Sequence, residues 1–160
     1  FGMPQNVHAD LRVQRKGGKI IDNFEIVMSY PGLKVTMKAG MLVREIGPRM
    51  TLLGDMGTYQ SYGMDVQEKD LMAGYMPAEK EDWGVGPEEL WGTLHTEING
   101  LTFKGKVPTE KGDYREYYQN IYEALSGTAD LKVTAEQARN TILIIEAALR
   151  SNQEKCLITL

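Results

Sequence analysis

Apolar and polar residues alternate with period two through the first quarter of the chain, the pattern of half-buried strands. Val7, Ala9, Leu11 and Val13 fall on one side, and His8, Asp10, Arg12 and Gln14 on the other. After the turn signal Lys16-Gly17-Gly18-Lys19, the residues Phe24, Ile26, Met28 and Tyr30 alternate with Glu25, Val27 and Ser29. Pro31-Gly32 marks a second turn, and Leu33, Val35, Met37 and Ala39 then alternate with Lys34, Thr36 and Lys38. Three such runs joined by short turns predict an antiparallel meander with one face on a core.

From about residue 40 to 112 the chain is rich in glycine and proline and loses its period. Short strands are expected at 41–45, 50–53, 58–62 and 90–96. A short helix is expected over 66–72, stopped by Gly74. Long irregular stretches in a domain usually serve function or lie under a partner.

The last third is helical. Asp113, with Glu116 three positions on, reads as a cap. Tyr114, Tyr117, Tyr118, Ile121, Tyr122 and Leu125 share one helical face, and Gly127 is the expected stop. This tyrosine stripe reads as core packing, with a stacking platform for a sugar as the alternative. Thr134 and Gln137 repeat the capping pattern for a second helix. Ala138, Ile142, Ile145 and Leu149 mark its expected core face against the sheet. Lys155–Thr159 reads as a short final strand, with Cys156 as a buried, inert thiol.

Composition narrows the function classes. The net charge of -4 over 160 residues repels phosphate backbones and argues against nucleic acid. No apolar run nears the roughly 20 residues that span a bilayer, so no membrane partner is expected. A single cysteine excludes an internal disulfide and agrees with a reducing, cytoplasmic compartment. No glycine-rich strand-to-helix fingerprint, phosphate loop or metal-ligand spacing is present, so no metal site is expected. His8 and His95 have no partners at ligand spacing and read as surface or satisfied histidines. The acidic runs Glu79-Lys80-Glu81-Asp82 and Glu88-Glu89 read as solvated faces.

One stretch carries more. Gly57–Glu68 sets two tyrosines, two glutamines, a serine and two acids beside glycines. Such groups on a loop suit a small polyhydroxylated ligand. They also suit a strand-to-helix turn capped by Asp65, with Glu68 at the box position. The two readings are compatible.

These residues also carry a resemblance. Asp22-Asn23-Phe24-Glu25-Ile26 with Tyr30-Pro31-Gly32, and Gly54–Tyr59 with Tyr62–Glu68, resemble segments of the glucose–fructose oxidoreductase, inositol dehydrogenase and MocA-like (Gfo/Idh/MocA) family. So do Gly112–Leu125 and Val133–Leu149, in the same order. The resemblance is to the family's C-terminal domain and implies an α+β fold, a large mostly antiparallel sheet with helices packed on one face. It implies one domain over 1–160, without its N-terminal Rossmann domain. The parent would be an NAD(P)-dependent oxidoreductase acting on a sugar or polyol hydroxyl, with NAD or NADP held by the Rossmann domain and none by this chain. That domain would be its partner, with a homo-oligomer formed through the sheet. The family's catalytic lysine lies in the nucleotide domain, and its Asp and His lie on a helix that Phe1-Gly2-Met3-Pro4 is expected to follow. No catalytic residue is therefore assigned, and the chain alone is expected to be inactive. Tyr59, Tyr62 and Gln67 are the expected substrate contacts. The alternative is a non-catalytic module whose polar sheet face (His8, Arg12, Glu25, Lys34, Lys38) docks a partner.

Overall fold

The computed structural model describes residues 1–160 and is α+β, with two four-stranded antiparallel sheets and three α-helices. The strands thus divide between two sheets instead of joining in one. The chain forms two compact units, Phe1–Arg44 with Leu131–Leu160, and Glu45–Asp130.

In the first unit, β1 (Asn6–Arg12), β2 (Asn23–Tyr30) and β3 (Leu33–Gly40) form the expected meander, and β8 (Ile158–Thr159) joins the outer edge of β1. Val7 pairs with Met28 and Met28 with Val35, so the predicted apolar faces coincide across the sheet. His8, Val27 and Thr36 form one row of the opposite face. Asp10, Glu25 and Lys38 form the next, and Lys38 pairs with Glu25 at 3.0 Å.

Helix α3 (Ala135–Glu154) packs on β1, and the Thr134–Gln137 capping box forms as expected. Its buried face, however, is Ala147, Ala148 and Ser151 with Ile144 beside them, not Ala138, Ile142, Ile145 and Leu149. Close approach decides this. β8 pairs with β1 only at Asn6 and Val7, leaving later amides of that edge unpaired. Ser151 Oγ accepts from Ala9 N at 3.0 Å, and Asn152 Oδ1 from Leu11 N at 3.0 Å. Small residues bring the helix near enough for its side chains to replace the missing ladder. The core is Val7, Ala9, Met28, Ala147, Ala148 and Ile158. Each large member contributes about 1.5–3 kcal/mol by leaving water.

Cys156 is exposed, contrary to expectation. Lys155 ends α3 in the left-handed region (φ 55°), which turns Cys156 and Leu157 outward before Ile158 re-enters the core. The strand expected at 41–45 is absent. Met41 N donates to Asp22 O and Val43 N to Gly40 O, making turns with no neighbouring strand to pair.

In the second unit, β4 (Met50–Gly54), β5 (Gly57–Ser61), β6 (Gly92–Ile98) and β7 (Leu101–Val107) form a sheet in chain order. β6 begins two residues later than expected because Glu88–Leu90 form a 3-10 turn. β7 went unforeseen. It returns from β6 through Asn99-Gly100, both at positive φ as a tight hairpin turn demands. Helix α1 (Val66–Met72) has its predicted limits, and α2 spans Arg115–Leu125. The tyrosine stripe of α2 is not core. Tyr117, Tyr118 and Tyr122 are all exposed, Tyr118 at 70%, and the one buried residue of the helix is Asn120. Asp113 does serve the start of α2, accepting from Arg115 N at 3.0 Å. Its carboxylate also binds the Arg115 side chain, so no box closes with Glu116.

Candidate functional site

The site lies within the second unit, where the glycine–tyrosine loop leaves β5 and enters α1. Asp65 is the N-cap of α1, its carboxylate accepting from Gln67 N at 2.9 Å. Glu68 does not close the predicted box. Its carboxylate instead takes the hydroxyl of Tyr114 at 2.8 Å, which holds the Tyr114 phenol above its usual pKa.

Gln67 is the centre of the arrangement, with 0% of its surface exposed. Its Oε1 accepts from the indole Nε1 of Trp83 at 2.8 Å and from the backbone N of Tyr114 at 2.9 Å. Its Nε2 donates to both oxygens of Asp65 at 3.2 Å. A buried amide with both ends engaged has no capacity left for a ligand. Gln67 therefore ties the loop, α1, the Trp83 segment and the start of α2 into one body, behind the cavity wall and not on it. Trp83, 1% exposed, is the large apolar residue of this node, and sequence periodicity gave no hint of it. Gly84 follows at φ +73°, and a Cβ there would stand 1.8 Å from the carbonyl oxygen of Gly112. Only glycine lets these two segments meet.

In front of this node opens a cavity of about 220 Å³. Ligand pockets for drug-sized molecules usually begin near 300 Å³, so this one suits something smaller. Tyr59 and Tyr62 line it, with Arg49, Ser61, Asp65 and Glu110 among the polar groups at its wall. Tyr59 is set by the sheet. It pairs with Leu94, and its ring lies over Gly92, where a Cβ would come within 2.2 Å of the ring. The structure thus brings Tyr59 and Tyr62 together at one cavity and sets Gln67 in support of it. Arg49 and Glu110 escaped the sequence reading because neither stands in a recognisable motif. His8 and His95 are exposed strand residues, and no group of three or more His, Cys, Asp or Glu side chains could hold a metal ion.

All strand pairs are antiparallel, so no parallel strand feeds a glycine loop and helix N-terminus for a pyrophosphate.

A family profile described as "Oxidoreductase family, C-terminal alpha/beta domain", of the Gfo/Idh/MocA group, matches residues 1–160. The chain belongs to that family. It is 38% identical to scyllo-inositol 2-dehydrogenase (NADP(+)) IolW of Bacillus subtilis, over all of this chain and 44% of that protein. An uncharacterized oxidoreductase of Escherichia coli, YdgJ, is 32% identical over all of this chain and 45% of its own length. Among solved structures, one from Bacteroides fragilis described as a candidate oxidoreductase is 45% identical, with a TM-score of 0.92. It is matched over 100% of this chain and 48% of that one. An oxidoreductase from Bacillus cereus is 29% identical, with a TM-score of 0.90, over 100% and 47%. The chain therefore spans about half the length of the relatives it matches. No helix is long and apolar enough to cross a membrane.

Proposed function

We propose that this chain is the substrate-shaping half of an NAD(P)-dependent oxidoreductase that acts on a hydroxyl of a sugar or polyol. The observation that carries the reading is the coincidence of two facts. The chain aligns end to end with part of a scyllo-inositol dehydrogenase, and the second unit holds a sugar-sized cavity walled by Tyr59 and Tyr62. Phenol rings offer an apolar face for the C–H side of a polyol ring and a hydroxyl for its oxygens. The nicotinamide, where bound, supplies hydride chemistry, and protein groups orient the substrate toward it. We place nucleotide binding and proton transfer in the part of the relatives that this chain does not match. In this division of labour Tyr59 and Tyr62 touch substrate, Gln67 positions them, and the chain alone does not turn over.

Ligand-observed NMR of the chain with an inositol tests the reading. Saturable binding is expected, with Tyr62→Ala weakening it about tenfold. A lack of polyol binding, or tight binding of NADPH by the chain itself, contradicts it.

A second reading is supported by a separate observation. One face of the second sheet presents Met50, Leu52, Ile98, Leu101 and Phe103, each about half exposed or more. An apolar face of this kind suits association with another subunit. Sedimentation of the chain across concentration tests it, and a strict monomer throughout counts against a sheet-mediated oligomer.

A further inference from the structure

The cavity at Tyr59 and Tyr62 also carries an arrangement of charge, and the inference drawn from it rests on the polyol reading above. Arg49 is fixed at the head of β4 by its backbone N donating to Ser61 O at 2.8 Å. Its guanidinium makes no ion pair, while Arg12, Arg15, Arg115 and Arg150 each hold a carboxylate. The one acceptor that Arg49 Nη1 finds is the thioether of Met64 at 2.9 Å, a weak one. Two acidic residues, Asp65 and Glu110, line the same cavity. Asp65 is engaged by the amide and side chain of Gln67. Glu110 engages neither a hydrogen-bond donor nor a cation.

A cation and an anion thus line one sugar-sized cavity without closing on each other. A hydroxyl group accepts from an N–H and donates to a carboxylate at once, so a pair of neighbouring hydroxyls satisfies both sides. A ligand carboxylate or phosphate satisfies Arg49 alone and meets Glu110 and Asp65 as like charges. We infer that Arg49 and Glu110 are specificity-determining residues that select an uncharged polyol and reject its acid or phosphate ester. Arg49 reads a hydroxyl oxygen, Glu110 reads a hydroxyl proton, and the rim carboxylates exclude anions.

The test measures binding of an inositol, glucose and glucuronate to the 160-residue chain at low ionic strength, in wild type, Arg49→Gln, Arg49→Lys and Glu110→Gln. Both residues are exposed, so far-UV circular dichroism should show all variants folded. The uncharged ligands should bind roughly tenfold tighter than glucuronate, with the gap shrinking as salt rises. Glu110→Gln should narrow the gap to about threefold or less, chiefly by admitting glucuronate. Arg49→Gln should weaken the uncharged ligands about tenfold, with partial rescue by Arg49→Lys. Glucuronate binding as well as glucose, or a ratio that Glu110→Gln leaves unchanged, overturns this inference while the polyol reading stands. If no ligand binds the wild-type chain, both fall.

Discussion

In the first unit Val7, Met28, Ala148 and Ile158 close an apolar core between a sheet and a helix, Ser151 and Asn152 finish the edge of β1, and Asp22 is the buried carboxylate just before β2. In the second, the fully buried side chains are an indole and an amide, Trp83 and Gln67, and the apolar residues of its sheet remain half exposed. The difference matches the work each is assigned. A core built from buried apolar area is held by a non-directional force. A body built on one amide with every hydrogen bond satisfied holds a unique geometry, and it responds when any partner is lost.

Trp83→Ala should break the comparison most severely. Loss of a buried indole costs about 3–5 kcal/mol, and the Gln67 acceptor is orphaned with it. Urea unfolding followed by far-UV circular dichroism should show the second unit melting early while the first keeps its own transition. One shifted transition for the whole chain would mean that the two units unfold as one. Gln67→Leu comes next. It strands Trp83 Nε1 and Tyr114 N without an acceptor, for a loss of about 2–3 kcal/mol in urea midpoint analysis. Gln67→Glu keeps the acceptor but faces Asp65 with a second carboxylate, so its loss should grow as pH rises above the carboxylate range.

Ser151→Ala probes the other unit. Ser151 Oγ accepts from Ala9 N and donates to Cys156 O at 2.6 Å, so its removal leaves a buried amide and a partly buried carbonyl unpaired. A loss of about 1–2 kcal/mol is expected, confined to the transition of the first unit. Acid sharpens the contrast further. Hydrogen bonding and ion pairing to Arg115 lower the Asp113 carboxyl to about 2. Its folded pKa lies below its unfolded value near 3.9, so its contribution is complete above about pH 4 and is lost as pH falls toward 2. Asp22, held by the amides of Gln14 and Arg15 and the Arg15 side chain, is depressed in the same direction. Asp113→Asn should flatten the acid limb for the second unit alone, as read from helix content. The smallest effect belongs to the tyrosine face of α2. Tyr118→Ser should change stability by less than about 0.5 kcal/mol in the isolated chain, because the ring is exposed.

Local rules made much of this legible in the sequence. The meander, the limits of α1, the Asp65 cap and the Thr134 box all rest on neighbours within a few residues, which one sequence displays. The errors came from long-range decisions. Helical spacing alone cannot say which side of α2 meets protein, and its tyrosines face outward. The face of α3 was chosen by unpaired amides on β1, about 140 residues away in sequence, which favour Ala147, Ala148 and Ser151 over larger side chains. Gln67 reads from the sequence as a substrate contact, but Trp83 and Tyr114, brought to it by the fold, fill its acceptor capacity, and Asp65 takes its donors. Arg49 and Glu110 mattered only once a common cavity was visible.

Native-state hydrogen exchange, with and without a saturating inositol, tests the central claim most directly: that the second unit is a polyol-responsive body and the first a passive core. The account predicts added protection at the amides of Gln67 and Tyr114 and around the Tyr59–Tyr62 loop, with β1, β2 and α3 unchanged. Protection gained mainly in β1, β2 and α3, or none at any amide, would contradict it.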